Sequence, residues 1–259
     1  MARLLPVVIL FFSLELLADQ PVQVGLRTGL SPAYYSETSP PKGIFPELIG
    51  AVFAPLNKPL EYSINPRRRL IHQMQVGELH MTTLPVGVGL KEKMNWPEGL
   101  VVGNEPLLTF DVNLYKLSTN KQYIDDKSDL LSYRLGSTRH PKFMFDAMNE
   151  HIALELQFEL FNKTESLFKA LLAQRVDFAL LSASELTALM MNYPDNIGVE
   201  KAFPVSVMQT YLVLSEVAFG REEAITLSRF IDERILQLHE EGKIQAVVEK
   251  YNLPLRSEH

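Results

Sequence analysis

The chain of 259 residues contains no cysteine, and its six histidines are scattered without the spacing of metal ligands. Disulfides, a thiol nucleophile, a thiolate metal site and a lipidated cysteine are therefore excluded. The net charge is −6 and the only dense basic cluster is Arg67-Arg68-Arg69, so nothing electrostatic favours a nucleic-acid partner. GxSxG, HExxH and phosphate-loop motifs are also missing. We expect no metal, no cofactor and no catalytic set.

The N-terminus has the pattern of a secretory signal peptide. Arg3 precedes the apolar run Leu4–Leu14, and the small residue Ala18 marks a cleavage point. The run is short for a membrane span and is interrupted by Glu15, although an uncleaved N-terminal anchor is the alternative. A cysteine-free chain with 46% hydrophobic residues fits the bacterial periplasm once residues 1–18 are removed. We expect a soluble, exported monomer.

Segments 66–84 and 163–181 read as two copies of one unit. At a constant offset they share an apolar helix face, in which Leu70, Ile71 and Met74 match Leu167, Phe168 and Leu171. A polar turn and a short apolar strand follow in both copies. A helix that leads into a strand, twice over, predicts two similar α/β lobes with a cleft between them for a small molecule. The alternative is that any helix–turn–strand pair has this pattern.

The remaining periodicity supplies the other elements of an α/β fold. It predicts strands over 22–26, 60–64 and 154–161, crossing segments over 107–115 and 205–214, and helices over 45–56, 141–149, 184–191, 222–240 and 244–251. The order β-α-β-α-β at the start of the mature chain predicts parallel strands flanked by helices.

Several short motifs follow one another in a defined order along residues 20–253. They are Val22–Tyr35, Gly43-Ile44-Phe45-Pro46-Glu47-Leu48, Pro66-x-x-Arg69 with Gly77-Glu78, Leu135-Gly136-Ser137-Thr138, Leu171–Asp177, and Glu241-Gly242-Lys243-Ile244 through Tyr251. In order and spacing they resemble the bacterial extracellular solute-binding proteins of family 3, the polar amino-acid type that serves ABC importers. The resemblance implies two lobes joined by two crossing strands that close on a solute. The implied lobes are 19–110 with 205–259, and 111–204.

Two positions depart from the pattern of that family. Its members usually hold the ligand carboxylate with an Arg after the first repeat strand, where this chain has Lys91 within Gly87–Lys93. They hold the ammonium group with an Asp, where this chain has Ser182. A bidentate guanidinium and a charge partner are both lost. We therefore expect standard L-amino acids to bind weakly or not at all.

The resemblance and the residue types also suggest ligand contacts. Three arginines at a helix N-terminus oppose the helix dipole, so Arg69 is predicted to meet an anion; a solvated cluster or an ion pair between the lobes is the alternative. Ser137, Thr138 and Arg139 precede a helix N-terminus and form a candidate anion site, with simple capping as the alternative. Arg69 and Arg139 are predicted to face each other across the cleft. Tyr34 and Tyr35 lie on the loop where relatives place an aromatic over the ligand. Lys91, Ser182 and Glu185 complete the predicted ligand contacts.

The leading function is non-catalytic capture of a small polar or anionic solute, for an ABC transporter permease or a membrane sensor. An alternative is a periplasmic dehydratase or lyase of the cyclohexadienyl dehydratase type, since a few relatives of this fold have that activity. Glu185 or His140 would then be the general acid. A third possibility is a ligand-free partner module of an envelope receptor.

Overall fold

The computed structural model describes residues 20–29, 34–138, 156–193 and 197–251. The predicted signal peptide, Arg139, His140 and the predicted helix 141–149 lie outside these residues. The strands are β1 Val22–Arg27, β2 Leu60–Asn65, β3 Met81–Gly87, β4 Leu100–Val102, β5 Leu108–Leu117, β6 Leu135–Thr138, β7 Phe158–Phe161, β8 Phe178–Ser182 and β9 Val199–Ser215. The helices are α1 Ile44–Phe53, α2 Arg67–Gln75, α3 Thr164–Leu172, α4 Ala183–Met190, α5 Glu216–Phe219, α6 Arg221–Glu240 and α7 Lys243–Lys250, with 3₁₀ turns at Ala54–Leu56, Lys91–Lys93 and Lys127–Ser132.

The strands contain two parallel sets. In the first set β1 pairs with β2 and β3, and in the second set β6 pairs with β7 and β8. The antiparallel strands β5 and β9 lie between the sets, giving the order β2-β1-β3-β9-β5-β8-β6-β7, with β4 also on β9. The predicted α/β class, with two parallel-type sheets and two crossing strands, is confirmed. The sets belong to one continuous ladder because β5 and β9 pair with each other from Leu108–Thr210 to Leu117–Val199.

The two crossing strands bend where they pass from one set to the other. Their register shifts between Val112 and Asn113 and again between Leu114 and Tyr115. A β-bulge leaves a residue unpaired and bends its strand. Pro204, which has no N–H to donate, lies opposite Asn113 beside the first shift, where a proline is tolerated. These register shifts lie in the two strands that join the parallel sets, and the lobe boundaries stay a prediction.

The internal repeat is visible in the backbone. α2 and α3 begin and end at the same offset as the sequence alignment. Both copies then turn through a left-handed residue, Gly77 with φ 79° and Gln174 with φ 54°. The strand pairing also matches, because Gly25 lies opposite Thr82 and Gly136 lies opposite Ala179, the repeat counterpart of Thr82. The predicted duplication is confirmed for the described residues.

Each copy packs its helix against a glycine in the central strand of its set. A Cβ atom on Gly25 would lie 2.5 Å from Leu70 and 2.6 Å from Leu79. On Gly136 it would lie 2.6 Å and 3.1 Å from the repeat counterparts of those leucines, Leu167 and Val176. Contacts under 3 Å exclude a side chain without local repacking. Both central strands therefore favour glycine at the point where the repeat helix crosses, because any larger residue forces these buried side chains to shift.

The C-terminal helices return to the first set. Ile231, Ile235 and Leu238 of α6 are buried in the same core as β1 and α1, as the predicted stripe requires. Asp232 of α6 accepts hydrogen bonds from the backbone N–H groups of Asn104 and Glu105, at 2.8 Å and 3.0 Å. Across the described residues, no helix has both the length and the apolar composition needed to cross a bilayer.

Candidate functional site

A cavity of about 1080 Å³ lies between the two parallel sets. It is bounded by the carboxyl ends of β1 and β6 and by the first turns of α2 and α3. Its lining comprises Arg27, Thr28, Gly29, Pro66, Arg67, Arg68, Ile71, His72, Gln75, Leu84, Met94, Asn95, Trp96, Pro97, Thr138, Asn162 and Thr164. Ligand sites in open α/β sheets form outside the carboxyl ends of the strands, so this cavity is the candidate site.

The internal repeat explains why these residues meet. Arg67 and Thr164 occupy the same position in the two copies, the first residue of α2 and of α3. Arg27 and Thr138 each end the central strand of a set, two residues after the glycine on which the repeat helix packs. The first half thus supplies cations, and the second half supplies hydroxyl groups. Both helix N-termini direct backbone N–H groups and positive dipole ends towards the same space.

Three arginines, Arg27, Arg67 and Arg68, define the electrostatics of the cavity. Burial lowers the pKa of Arg27, and the negative charge of Glu185 partly offsets this effect. Burial also lowers the pKa of Arg67, and the nearby positive charge of Arg27 lowers it further. Guanidinium groups nevertheless keep their proton at neutral pH. None of the described residues that line the cavity is acidic, and the carboxylate that acts on Arg27, Glu185, lies beside the lining.

The rest of the lining includes an apolar wall, which comprises Ile71, Leu84, Met94, Trp96 and Pro97. The indole Nε1 of Trp96 donates to the carbonyl oxygen of Lys91 at 3.1 Å. The only strong hydrogen-bonding group of this side chain is therefore satisfied within the protein. The wall offers the cavity hydrocarbon and aromatic surface rather than hydrogen bonds.

A polar network adjoins the cavity at the start of α4. The Ser182 hydroxyl donates to Glu185 Oε2 at 2.9 Å, and the Ser182 backbone N–H donates to the same atom at 2.8 Å. In return the Glu185 backbone N–H donates to Ser182 Oγ at 3.1 Å, which completes a capping box. Thr164, which lines the cavity, donates to Glu185 Oε1 at 3.4 Å. Ser182 and Glu185, both predicted to contact the ligand, therefore hydrogen-bond to each other in this capping box.

Tyr34 joins this network from the first half of the molecule. Its hydroxyl lies 3.2 Å from Ser182 Oγ, and its ring stacks on Phe45 with centroids 5.0 Å apart. Burial raises the pKa of Tyr34, and the charge of Glu185 raises it further. Tyr35 donates to the backbone oxygen of Arg27 at 2.8 Å, and burial raises its pKa to about 12. Both side chains are protonated and packed in the core beside the site.

The other predicted contacts fall in different places. Lys91 donates to Asn104 Oδ1 at 2.9 Å and lies 4.9 Å from the Tyr211 ring centroid, outside the cavity lining. Ser137 is buried and donates to the carbonyl oxygen of Thr138, which itself lines the cavity. Arg69 is exposed and does not belong to the lining. The two preceding arginines of the same triplet line the cavity instead, Arg67 with a half-buried side chain and Arg68 with an exposed one.

Arg27 belongs to the site but was not predicted from the sequence. The visible signal was its position as the last residue of strand one, since the carboxyl ends of parallel strands are where ligands bind. The sequence analysis instead predicted the aromatic residues of the following loop, Tyr34 and Tyr35, as ligand contacts. Thr164 was missed in the same way, although the repeat alignment pairs it with the arginine triplet.

Loss of the Tyr34 hydroxyl is expected to weaken the contact between the two halves. Tyr34→Phe removes a buried hydrogen bond to Ser182 and should lower the free energy of unfolding by about 1 kcal/mol. Chemical denaturation followed by circular dichroism measures this change. Tyr123→Phe is the matched control, because Tyr123 is 71% exposed and its variant should unfold like the parent. Equal stability of Tyr34→Phe and the parent would contradict the expected role.

Metal ligation receives no support from the described residues, among which no three His, Cys, Asp or Glu side chains cluster as metal ligands would.

No protein-family model and no curated protein matches the sequence. Solved structures do match this chain, with low sequence identity.

The GluR0 ligand-binding core in complex with L-glutamate matches with a TM-score of 0.71 and 18% identity, covering 90% of this chain and 98% of that one. A substrate-binding protein of an amino-acid ABC transporter from Streptococcus pneumoniae, bound to L-arginine, gives 0.67 and 14%, covering 94% and 99%. The ancestral amino-acid-binding protein AncCDT-1, a precursor of cyclohexadienyl dehydratase, gives 0.68 and 13%, covering 92% and 98%. The chain therefore has the two-lobed fold of periplasmic binding proteins.

Proposed function

We propose that this chain is a periplasmic solute-binding protein that captures a small anionic solute in the cavity between its halves. The observation that carries the proposal is the lining itself, where Arg27, Arg67 and Arg68 meet two helix N-termini with no acidic residue among the described lining residues. Guanidinium groups and helix N-termini are the protein groups that best bind carboxylates and phosphates. The fold, shared with amino-acid-binding proteins, supports a binding role.

The residues of the site argue against an ordinary amino acid as the solute. Ser182, where the family resemblance implies an acidic partner for the ammonium group, is engaged by Glu185 and Tyr34. Lys91, where it implies an arginine, is held by Asn104 outside the lining. The anion is held instead by arginines from β1 and α2. In this proposal the bends in β5 and β9 act as the hinge, and the loaded protein delivers its solute to an ABC transporter permease or presents the closed form to a membrane sensor.

A co-purified solute is the most direct test. The exported protein, isolated from periplasm without denaturation, should carry an anionic molecule that native mass spectrometry detects. A panel of organic acids, phosphate esters and amino acids then follows by thermal shift, where a ligand at a hundred times its Kd adds about 2.7 kcal/mol. Micromolar or tighter binding of glutamine, arginine or histidine would contradict the proposed specificity. A panel without any binder would favour a ligand-free receptor module.

Trp96 provides an intrinsic signal for the same experiment. It is the only tryptophan of the chain and lines the cavity, so solute binding should change the intensity or the wavelength of its emission. The change should saturate at one solute per chain and disappear in Trp96→Phe, while calorimetry still detects binding. A solute that binds without altering the emission would place the site elsewhere.

The dehydratase alternative has one supporting observation. The charge of Glu185 acts on both Arg27 and Tyr34, so a carboxyl group lies beside the cavity. That carboxylate accepts the hydrogen bonds of its own capping box, which favours a structural role. Incubation with prephenate and arogenate decides between the two functions. Turnover that is lost in Glu185→Gln would establish the enzyme, and intact substrate after long incubation would support the binding protein.

A further inference from the structure

We infer that the solute is an aromatic carboxylate, in which a ring system of one or two rings carries the anionic group. This inference rests on the proposed function and names the substrate class of the same cavity. Its basis is that the cationic and the apolar parts of the lining are neighbours. Arg67 and Ile71 are four residues apart on α2 and both line the cavity. Residues with this spacing lie on the same face of a helix, so one molecule reaches both.

The apolar wall is suited to a flat hydrocarbon surface. Leu84 is 1% exposed and belongs to the core cluster against which Trp96 packs. Because the Trp96 N–H is bonded to the Lys91 carbonyl, the indole can recognise a ligand only through stacking and apolar contact. A strongly hydrated anion such as a short dicarboxylate gains nothing from such a wall. An aryl group replaces water on it and gains the hydrophobic free energy of the buried area.

The size of the cavity supports the same class. At about 1080 Å³ it exceeds what a small aliphatic acid fills, and it lies slightly above the usual range for small-molecule sites. The hydroxyl and amide groups of Thr138, Asn162 and Thr164 line the side supplied by the second half. They suit a ring that carries a hydroxyl or another neutral polar substituent. The pairing of the lining arginines with the carboxylate of the ligand then fixes the orientation of the ring in the cleft.

Four commercial probes separate charge from ring. Phenylacetate and acetate carry the same charge and differ by the ring, benzylamine carries the ring with the opposite charge, and succinate carries two carboxylates without a ring. A ring that buries about 100 Å² of apolar surface should make phenylacetate bind roughly 50-fold more tightly than acetate. Benzylamine should not bind. Isothermal calorimetry on the full exported chain measures all four, and cinnamate, 4-hydroxybenzoate and indole-3-acetate extend the aromatic panel.

A matched pair of variants tests whether the apolar wall is the cause. Met94→Gln changes a residue of the wall, and Met191→Gln makes the same substitution at a residue that is 63% exposed and outside the lining. We expect Met94→Gln to lower the affinity for phenylacetate roughly fivefold and to leave acetate unchanged, since about 1 kcal/mol of apolar burial is lost. Met191→Gln should bind both like the parent. Thermal melts of the two variants confirm that both are folded.

The outcomes also separate this inference from the proposed function. Succinate or another aliphatic acid binding more tightly than every aromatic carboxylate would overturn the inference and leave the capture of an anion intact. An aromatic preference that Met94→Gln and Met191→Gln alter equally would also overturn it. Benzylamine binding more tightly than phenylacetate, or no anion binding at all, would overturn both. Both are supported if phenylacetate and the other aromatic carboxylates bind more tightly than the aliphatic acids, and if Met94→Gln alone lowers the affinity for phenylacetate.

Discussion

Gly25→Val and Gly136→Val should each lower the free energy of unfolding by about 3 kcal/mol. A Cβ at these positions would already lie 2.5 Å from Leu70 and 2.6 Å from Leu167, and valine adds two further methyl groups. Both leucines are fully buried, so either their side chains or the helix must shift in a packed core, and overpacking of this kind costs about 1–3 kcal/mol or somewhat more. Urea denaturation followed by circular dichroism measures the loss for each variant.

Gly50 is the control for these two glycines. It lies inside α1, and a Cβ atom added to it would meet no neighbouring atom within 4 Å. Gly50→Ala should therefore be neutral or should stabilise the protein by up to about 1 kcal/mol, because alanine is the better helix former. If Gly25→Val and Gly136→Val unfold like the parent, the two repeat helices do not pack on their strands as described. Similar losses in both variants are the signature of the duplicated unit.

Arg27→Met should reduce affinity for the anionic solute about 100-fold. A hydrogen bond to a charged group contributes about 1.5–3 kcal/mol, which corresponds to roughly 10- to 150-fold in affinity. The upper part of that range applies because Arg27 is also the cation that faces Glu185. Without it, the uncompensated carboxylate repels the incoming anion. Phenylacetate titrations by calorimetry, or titrations with the co-purified solute, measure the effect.

The double variant Arg27→Met with Glu185→Gln isolates that repulsion. Removal of the carboxylate charge should restore about tenfold of the lost affinity, a coupling that two independent sites would not show. Arg229→Met serves as the control, since Arg229 is exposed on α6 and lies outside the cavity lining. Unchanged affinity in Arg27→Met, or a solute that proves cationic, would contradict the assignment of the cationic lining.

The pairing of Arg69 with Arg139 across the cleft stays a prediction. If both arginines contact the solute, Arg69→Ala and Arg139→Ala each cost about 1.5–3 kcal/mol of binding. Arg69 lies outside the lining, whereas Arg67 and Arg68 belong to it. Arg67→Ala and Arg68→Ala should therefore be compared with Arg69→Ala. Calorimetry on the three alanine variants of the triplet ranks its arginines directly.

Much of the fold followed from local patterns. The apolar periodicity of the two copies placed α2, α3, β3 and β8 because each helix must bury one face and each short strand is buried on both sides. β9 is longer than predicted, because its pairing with β5 extends to Val199 beyond the apolar residues that marked it. The strand predicted over 154–161 begins at Phe158 within the described residues, since pairing with the four residues of β6 sets its length.

The sequence by itself determined the α/β class, the duplicated helix–strand unit and the arginine triplet at the start of a helix, since each depends on residues close together in the chain. Only the tertiary structure decided which residues line the site. Arg27 and Thr164 are far apart in sequence, and they meet because the parallel sets direct their strand ends and helix starts into one cavity. The same long-range packing engaged Ser182 with Tyr34 across the two halves. No local pattern encodes such contacts, because they depend on how β5 and β9 bring the two sets together.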